Sequence, residues 1–164
     1  MSASSPPLRP RRSIEGISAV LLPFRRDGAV DLEAFSRLVE LTWSAGLTPA
    51  VNMDTGYTNL LSPDQRSEIL GLTGSLARGR RFVAGAFIQG LEGDPVRNYR
   101  AASNAIACAV GLPILFPCSA VKVLAGPELI GVFRAVGAEC DEFLGFELGE
   151  MFVPFGRIWD LPTF

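Results

Sequence analysis

The chain has 164 residues, with 15 Lys+Arg against 17 Asp+Glu and no histidine. A hydrophobic fraction of 48% with 20% charged residues marks a globular chain of single-domain size, too apolar for a disordered one. The net charge of -2 argues against a nucleic-acid partner, and the missing histidine excludes every imidazole relay and every His-ligated metal.

Residues 1–13 are rich in Ser, Pro and Arg and are expected to form a disordered tail ahead of one domain, 14–164. Arg11-Arg12 does not open an export signal, because Glu15 follows and Pro23 breaks the apolar run Ile17–Phe24. That run is also too short to span a bilayer, so no membrane partner is expected and a cytoplasmic location is the default. Cys108, Cys118 and Cys140 are odd in number and contain no C-x-x-C pair. They read as buried thiols in a reducing compartment rather than as a disulfide framework or a zinc site.

The first strand is expected in GISAVLLPF from Gly16. Asp31 then caps a helix whose apolar positions Phe35, Leu38, Val39 and Thr42 keep helical spacing, and Gly46 ends it. A second strand lies in PAVNM from Pro49. Ser62-Pro63-Asp64-Gln65 is a capping box with proline at the first helical position, and Ile69, Leu72 and Leu76 give that helix an apolar face. RFVAGAFI from Arg81 is a third strand, and Asp94-Pro95 opens a helix carrying Val96, Tyr99, Ala102 and Ile106. LPILF from Leu112 is a fourth strand. Gly126-Pro127-Glu128 opens a fourth helix with Leu129, Val132, Phe133 and Val136, and EFLGFEL from Glu142 is a fifth strand.

The order is five strands alternating with four helices, at a period of roughly 31 residues. Continuous apolar runs suit parallel strands covered on both faces. Two α/β folds fit: an open doubly wound sheet, or part of a (β/α)8 TIM barrel, whose eight units would need about 250 residues.

In either fold ligands bind at the C-terminal ends of the strands. The phosphate-loop, dinucleotide and G-x-S-x-G signatures are absent, and Lys122 is the only lysine. The most polar strand end is Asn52-Met53-Asp54-Thr55-Gly56-Tyr57-Thr58-Asn59. The hydroxyls of Thr55 and Thr58, with N–H groups around Gly56, could hold a small carboxylate. The same residues also suit a plain turn. Asp54 could serve as an acid–base group or close an Asx turn. Glu147 and Glu150 could pair near a cation or lie in a solvated loop. Lys122 reads as a surface lysine.

Taken in order, these segments resemble the dihydrodipicolinate synthase / N-acetylneuraminate lyase family. The resemblance runs through Gly16–Phe24, Asp27-Gly28 with Asp31, and Asn52–Tyr57 on the family's G-T-T-G-E loop. It continues through Leu61–Arg66 on L-S-x-E-E-R and Val83-Ala84-Gly85 on V-I-A-G. It implies a TIM barrel, here a partial one, and a lyase of the class I aldolase type. Such enzymes hold pyruvate or another 2-oxo acid as a Schiff base on a lysine, with no added cofactor and no metal. The substrate-binding residues it implies are Asp54, Thr55, Gly56 and Tyr57. Thr55 matches the second threonine of the family loop, Asp54 replaces the first and Tyr57 replaces the glutamate. No tyrosine stands at Pro117-Cys118-Ser119, where the family has its proton relay.

The family lysine lies on strand six and Lys122 does not match it, so no catalytic residue is assigned and the chain as given is expected to be inactive alone. The reading is of an N-terminal half-barrel. The alternative is a non-catalytic half-barrel that binds a small acid or assembles with a partner chain. Two open sheet edges and the apolar stretch from Met151 to Phe164 point to self-association.

Overall fold

In the computed structural model, which describes Arg11, 13–160 and 162–163, five strands form one parallel sheet in chain order, β1 to β5. The expected tail falls outside the described residues, apart from Arg11 and Ser13. β1 (Ile17–Ala19) pairs with β2 (Thr48–Val51), β2 with β3 (Val83–Ala86), β3 with β4 (Leu112–Leu115), and β4 with β5 (Leu144–Gly145). Strands that neighbour each other in chain order, each joined by a helix, curl one way. The result is the first part of a (β/α)8 barrel and not a doubly wound sheet, whose strand order reverses.

Local chemistry sets the helix starts. Asp31 accepts from the Ala34 N–H and opens α1 (Leu32–Ser44). Gly46, at φ +75°, turns the chain out again by donating to the Trp43 carbonyl. Ser62 and Gln65 satisfy one another's backbone N–H at 3.1 and 2.9 Å ahead of α2 (Pro63–Ala77). Asp94 accepts from two N–H groups at the start of α3 (Pro95–Cys108). Glu128 holds the Ala125 N–H ahead of α5 (Gly126–Gly137).

Two details go beyond the expectation. α2 turns Ile69, Thr73 and Ala77 inward, while Leu72 and Leu76 sit half-buried at the flank. A threonine can face the core because its hydroxyl donates to the Ile69 carbonyl at 2.7 Å. A further single-turn helix, α4 (Ser119–Lys122), follows β4. Of the three thiols expected to be buried only Cys118 is; Cys140 is half-buried, and Cys108 is exposed at the end of α3, on the side of the helix away from the core.

All four residues of β2, β3 and β4 are buried, as a sheet covered on both faces requires. Alternation splits them into two cores. Val51, Ala84, Ala86 and Leu115 pack against the helices with Phe35, Val39, Ile69, Tyr99 and Leu129. Ala50, Val83, Leu112, Ile114 and Phe116 face the concave side, the lumen of a barrel. Register stacks Ala50, Val83 and Leu112 in one lumen row, and Gly85, Ile114 and Leu144 in the next. The lumen is not open. Leu148, Val153 and Phe155, from the chain beyond β5, are buried against it, with Phe155 edge-on to Phe87. The apolar stretch after Met151 therefore folds back in part over the concave face.

Candidate functional site

The C-terminal ends of the five parallel strands share one rim. After β2 the chain makes a single 3-10 turn over Asp54–Gly56. Asn52 and Tyr57 bracket it in the left-handed region, at φ 53° and 57°. The N–H groups of Gly56 and Thr58 both return to the Met53 carbonyl, and that of Tyr57 to Asp54. These three donors are therefore spent inside the turn and are not offered to a ligand.

The predicted residues are brought together but differ in exposure. Asp54 is half-buried, and no described residue pairs with its carboxylate. Thr55 is exposed at the tip. Gly56 is buried under β1, where an added Cβ would lie 3.4 Å from the Val20 carbonyl. Tyr57 is about half exposed, with its ring 5.9 Å from Phe24. Thr58 is only 1% exposed, and its hydroxyl has no hydrogen-bond partner among the described residues. A buried hydroxyl without a partner is uncommon.

Sequence reasoning missed what holds this turn. Arg66, in the first turn of α2, donates through Nη1 to the carbonyls of Thr58 and Leu61 at 3.0 and 2.8 Å. Its guanidinium lies 5.3 Å from the Phe87 ring, and partial burial lowers its pKa from the ordinary arginine value. The Asn52 amide in turn donates to the Arg66 carbonyl at 3.0 Å.

At the end of β4, Tyr99 rises from α3 through the core, and its hydroxyl donates to the Phe116 carbonyl, 3.8 Å from Cys118 Sγ. Burial, then Cys118, pushes its pKa well above the ordinary tyrosine value. The ring belongs to the helix-side core, so this phenol is a structural group beneath the rim. Helical spacing marked Tyr99 as a core position and gave no sign of the bond.

Glu147 and Glu150 do not form a pair. Glu147 accepts from the Trp159 N–H, and Glu150 binds Lys122 at 2.7 Å, which lowers the Glu150 pKa from the ordinary carboxylate value. Lys122 also donates to the Pro154 carbonyl at 2.6 Å. Among the described residues no group of three His, Cys, Asp or Glu is placed to hold a metal ion. No described helix is long and apolar enough to cross a membrane.

Fold and rim together define the N-terminal part of a (β/α)8 barrel with its polar loop after the second strand. No protein-family model and no curated protein matches the chain. Solved structures do, and many are members of the dihydrodipicolinate synthase family. The Agrobacterium tumefaciens dihydrodipicolinate synthase is 25% identical with a TM-score of 0.67, over 88% of this chain and 48% of that one. The Aquifex aeolicus enzyme is 21% identical with a TM-score of 0.67, over 82% and 45%. YagE of Escherichia coli K12, a prophage protein of the dihydrodipicolinic acid synthase family solved in complex with pyruvate, is 16% identical with a TM-score of 0.69, over 85% and 46%. The chain spans just under half the length of these proteins.

Proposed function

We propose that this chain is the N-terminal half of a dihydrodipicolinate synthase-type barrel, related to the Schiff-base lyases, and that its own part in that chemistry is to bind a small 2-oxo acid. The observation that carries this reading is the Asp54–Thr58 turn. It sits at the C-terminal end of β2 in a fold whose neighbours include a pyruvate complex, and it holds a buried hydroxyl with no partner. Thr55 supplies an exposed hydroxyl, Thr58 a buried one, and Gly56 and Tyr57 shape the turn between them. Asp54 opposes an anion, since a carboxylate beside a substrate carboxylate is repelled. The ligand group therefore sits on the threonine side.

These five strands do not supply the nucleophile. Lys122, the only lysine, lies in α4 with its ammonium on Glu150 and the Pro154 carbonyl. Schiff-base chemistry would need a lysine from elsewhere, so no turnover is expected of this chain by itself. Self-association is part of the same reading. The edge of β1 has no second strand neighbour among the described residues, and Ile17, Leu21 and Phe24 are exposed beside it.

Pyruvate titrated against thermal unfolding tests the binding. A ligand at 100 times its Kd adds about 2.7 kcal/mol of stability, an easily read rise in Tm. The rise is expected to vanish in Thr55→Ala and to grow in Asp54→Asn. Thr58→Val should abolish it while leaving the free protein as stable or up to about 1 kcal/mol more so, because it removes an unpaired buried hydroxyl. No shift at tens of millimolar pyruvate, or an undiminished shift in both threonine variants, would refute the site.

A further inference from the structure

The segment from Leu148 to Arg157 makes two kinds of contact. Inward, Leu148, Val153 and Phe155 fill the concave face opened by Ala50, Met53, Ile114 and Phe116. Outward, Met151 and Phe152 face solvent, at 86% and 63% exposure. Three buried side chains thus hold ten residues of irregular chain, a low density of apolar contact for the chain ordered.

The remaining contacts are polar and cluster at one place, α4. Lys122 reaches Glu150 and the Pro154 carbonyl. Arg157 sends Nη1 back to the carbonyls of Val121, Lys122 and Leu124 at the end of the short helix. The segment closes on itself at Leu148 and Arg157, which form an antiparallel bridge. Gly156 permits this closure, since a Cβ there would lie 2.2 Å from the Leu148 carbonyl.

We propose that Leu148–Arg157 is a lid over the lumen, latched to α4 by Lys122 and Arg157, and that it opens as a unit while the sheet and helices stay folded. Closed, it occupies the space above β2, β3 and β4 on the side where a barrel receives its ligand. Open, it bares a continuous apolar surface that includes Phe87, Phe116 and Phe146. The packing alone carries this inference, so it stands or falls separately from the 2-oxo acid reading.

Native-state hydrogen exchange in low urea separates the two outcomes. In the wild-type chain the Phe152, Val153 and Gly156 amides, bonded within the lid, are expected to exchange together as the lid leaves the lumen and its own turns come apart, in one step that leaves Leu112 protected. The expected difference is roughly tenfold or more, the mark of sub-global opening. Lys122→Ala should speed the lid amides severalfold, leave Leu112 unchanged and raise the fluorescence of an added naphthalenesulfonate dye. Lid amides that follow the global unfolding isotherm in the wild type would overturn the proposal, whether or not the variant folds. So would a folded Lys122→Ala with unchanged lid exchange and no dye signal.

Discussion

Gly85→Ala is expected to destabilise the chain by about 3 kcal/mol or more, the upper end for overpacking a core. Gly85 lies in the middle of β3 and faces the lumen. A Cβ there would lie 2.2 Å from the Asn52 carbonyl oxygen and 2.8 Å from the Phe116 ring. A ring can swing aside, but the carbonyl belongs to backbone at the end of β2, and moving it would disturb the turn that Asn52 begins. The backbone at Gly85 has an ordinary φ, so the effect is steric and not conformational. Urea unfolding followed by far-ultraviolet circular dichroism measures it. A loss under 1 kcal/mol would mean that the β2 end yields freely.

The second large effect is at Tyr99. Its side chain is fully buried between α3 and the sheet, so Tyr99→Ala should cost about 3–5 kcal/mol, as truncation of a core aromatic does. Tyr99→Phe separates the ring from its hydroxyl. That change keeps the packing and removes the bond to the Phe116 carbonyl, which then lacks this donor; the expected loss is about 1–2 kcal/mol. Equal losses in the two variants would assign the whole effect to the hydroxyl. No loss in Tyr99→Phe would mean that another donor reaches Phe116.

Most of the architecture could be read in the sequence because its signals are local. Asp31, Ser62 and Asp94 cap their helices through atoms two or three residues away, and the strands are short apolar runs between them. On α2 the apolar spacing marks Ile69, Leu72 and Leu76, all of which meet the core, but it cannot register that Thr73 faces the core too, with its hydroxyl satisfied on Ile69. α4 escaped notice because it is four residues long and Cys118 gives it no side-chain cap. At the rim, the sequence located the turn but not its support. Arg66, Tyr99 and the latch on Lys122 act through bonds to backbone carbonyls, which carry no residue signature, across as many as 36 positions. Closeness along the chain suggests a pair at Glu147 and Glu150, but the curl after β5 sends them to different partners.

The grip of Arg66 bears on how such a rim can change over time. One guanidinium ties two carbonyls of the loop to the start of α2, and the Asn52 amide ties that helix start to the strand end. Strand, loop and helix thus form a closed ring of bonds that bypasses the side chains of Asp54 and Thr55. Those positions can exchange one chemistry for another while the frame around them keeps its shape. A rim built in this way lets a lineage alter the chemistry it presents by single substitutions without first losing its fold.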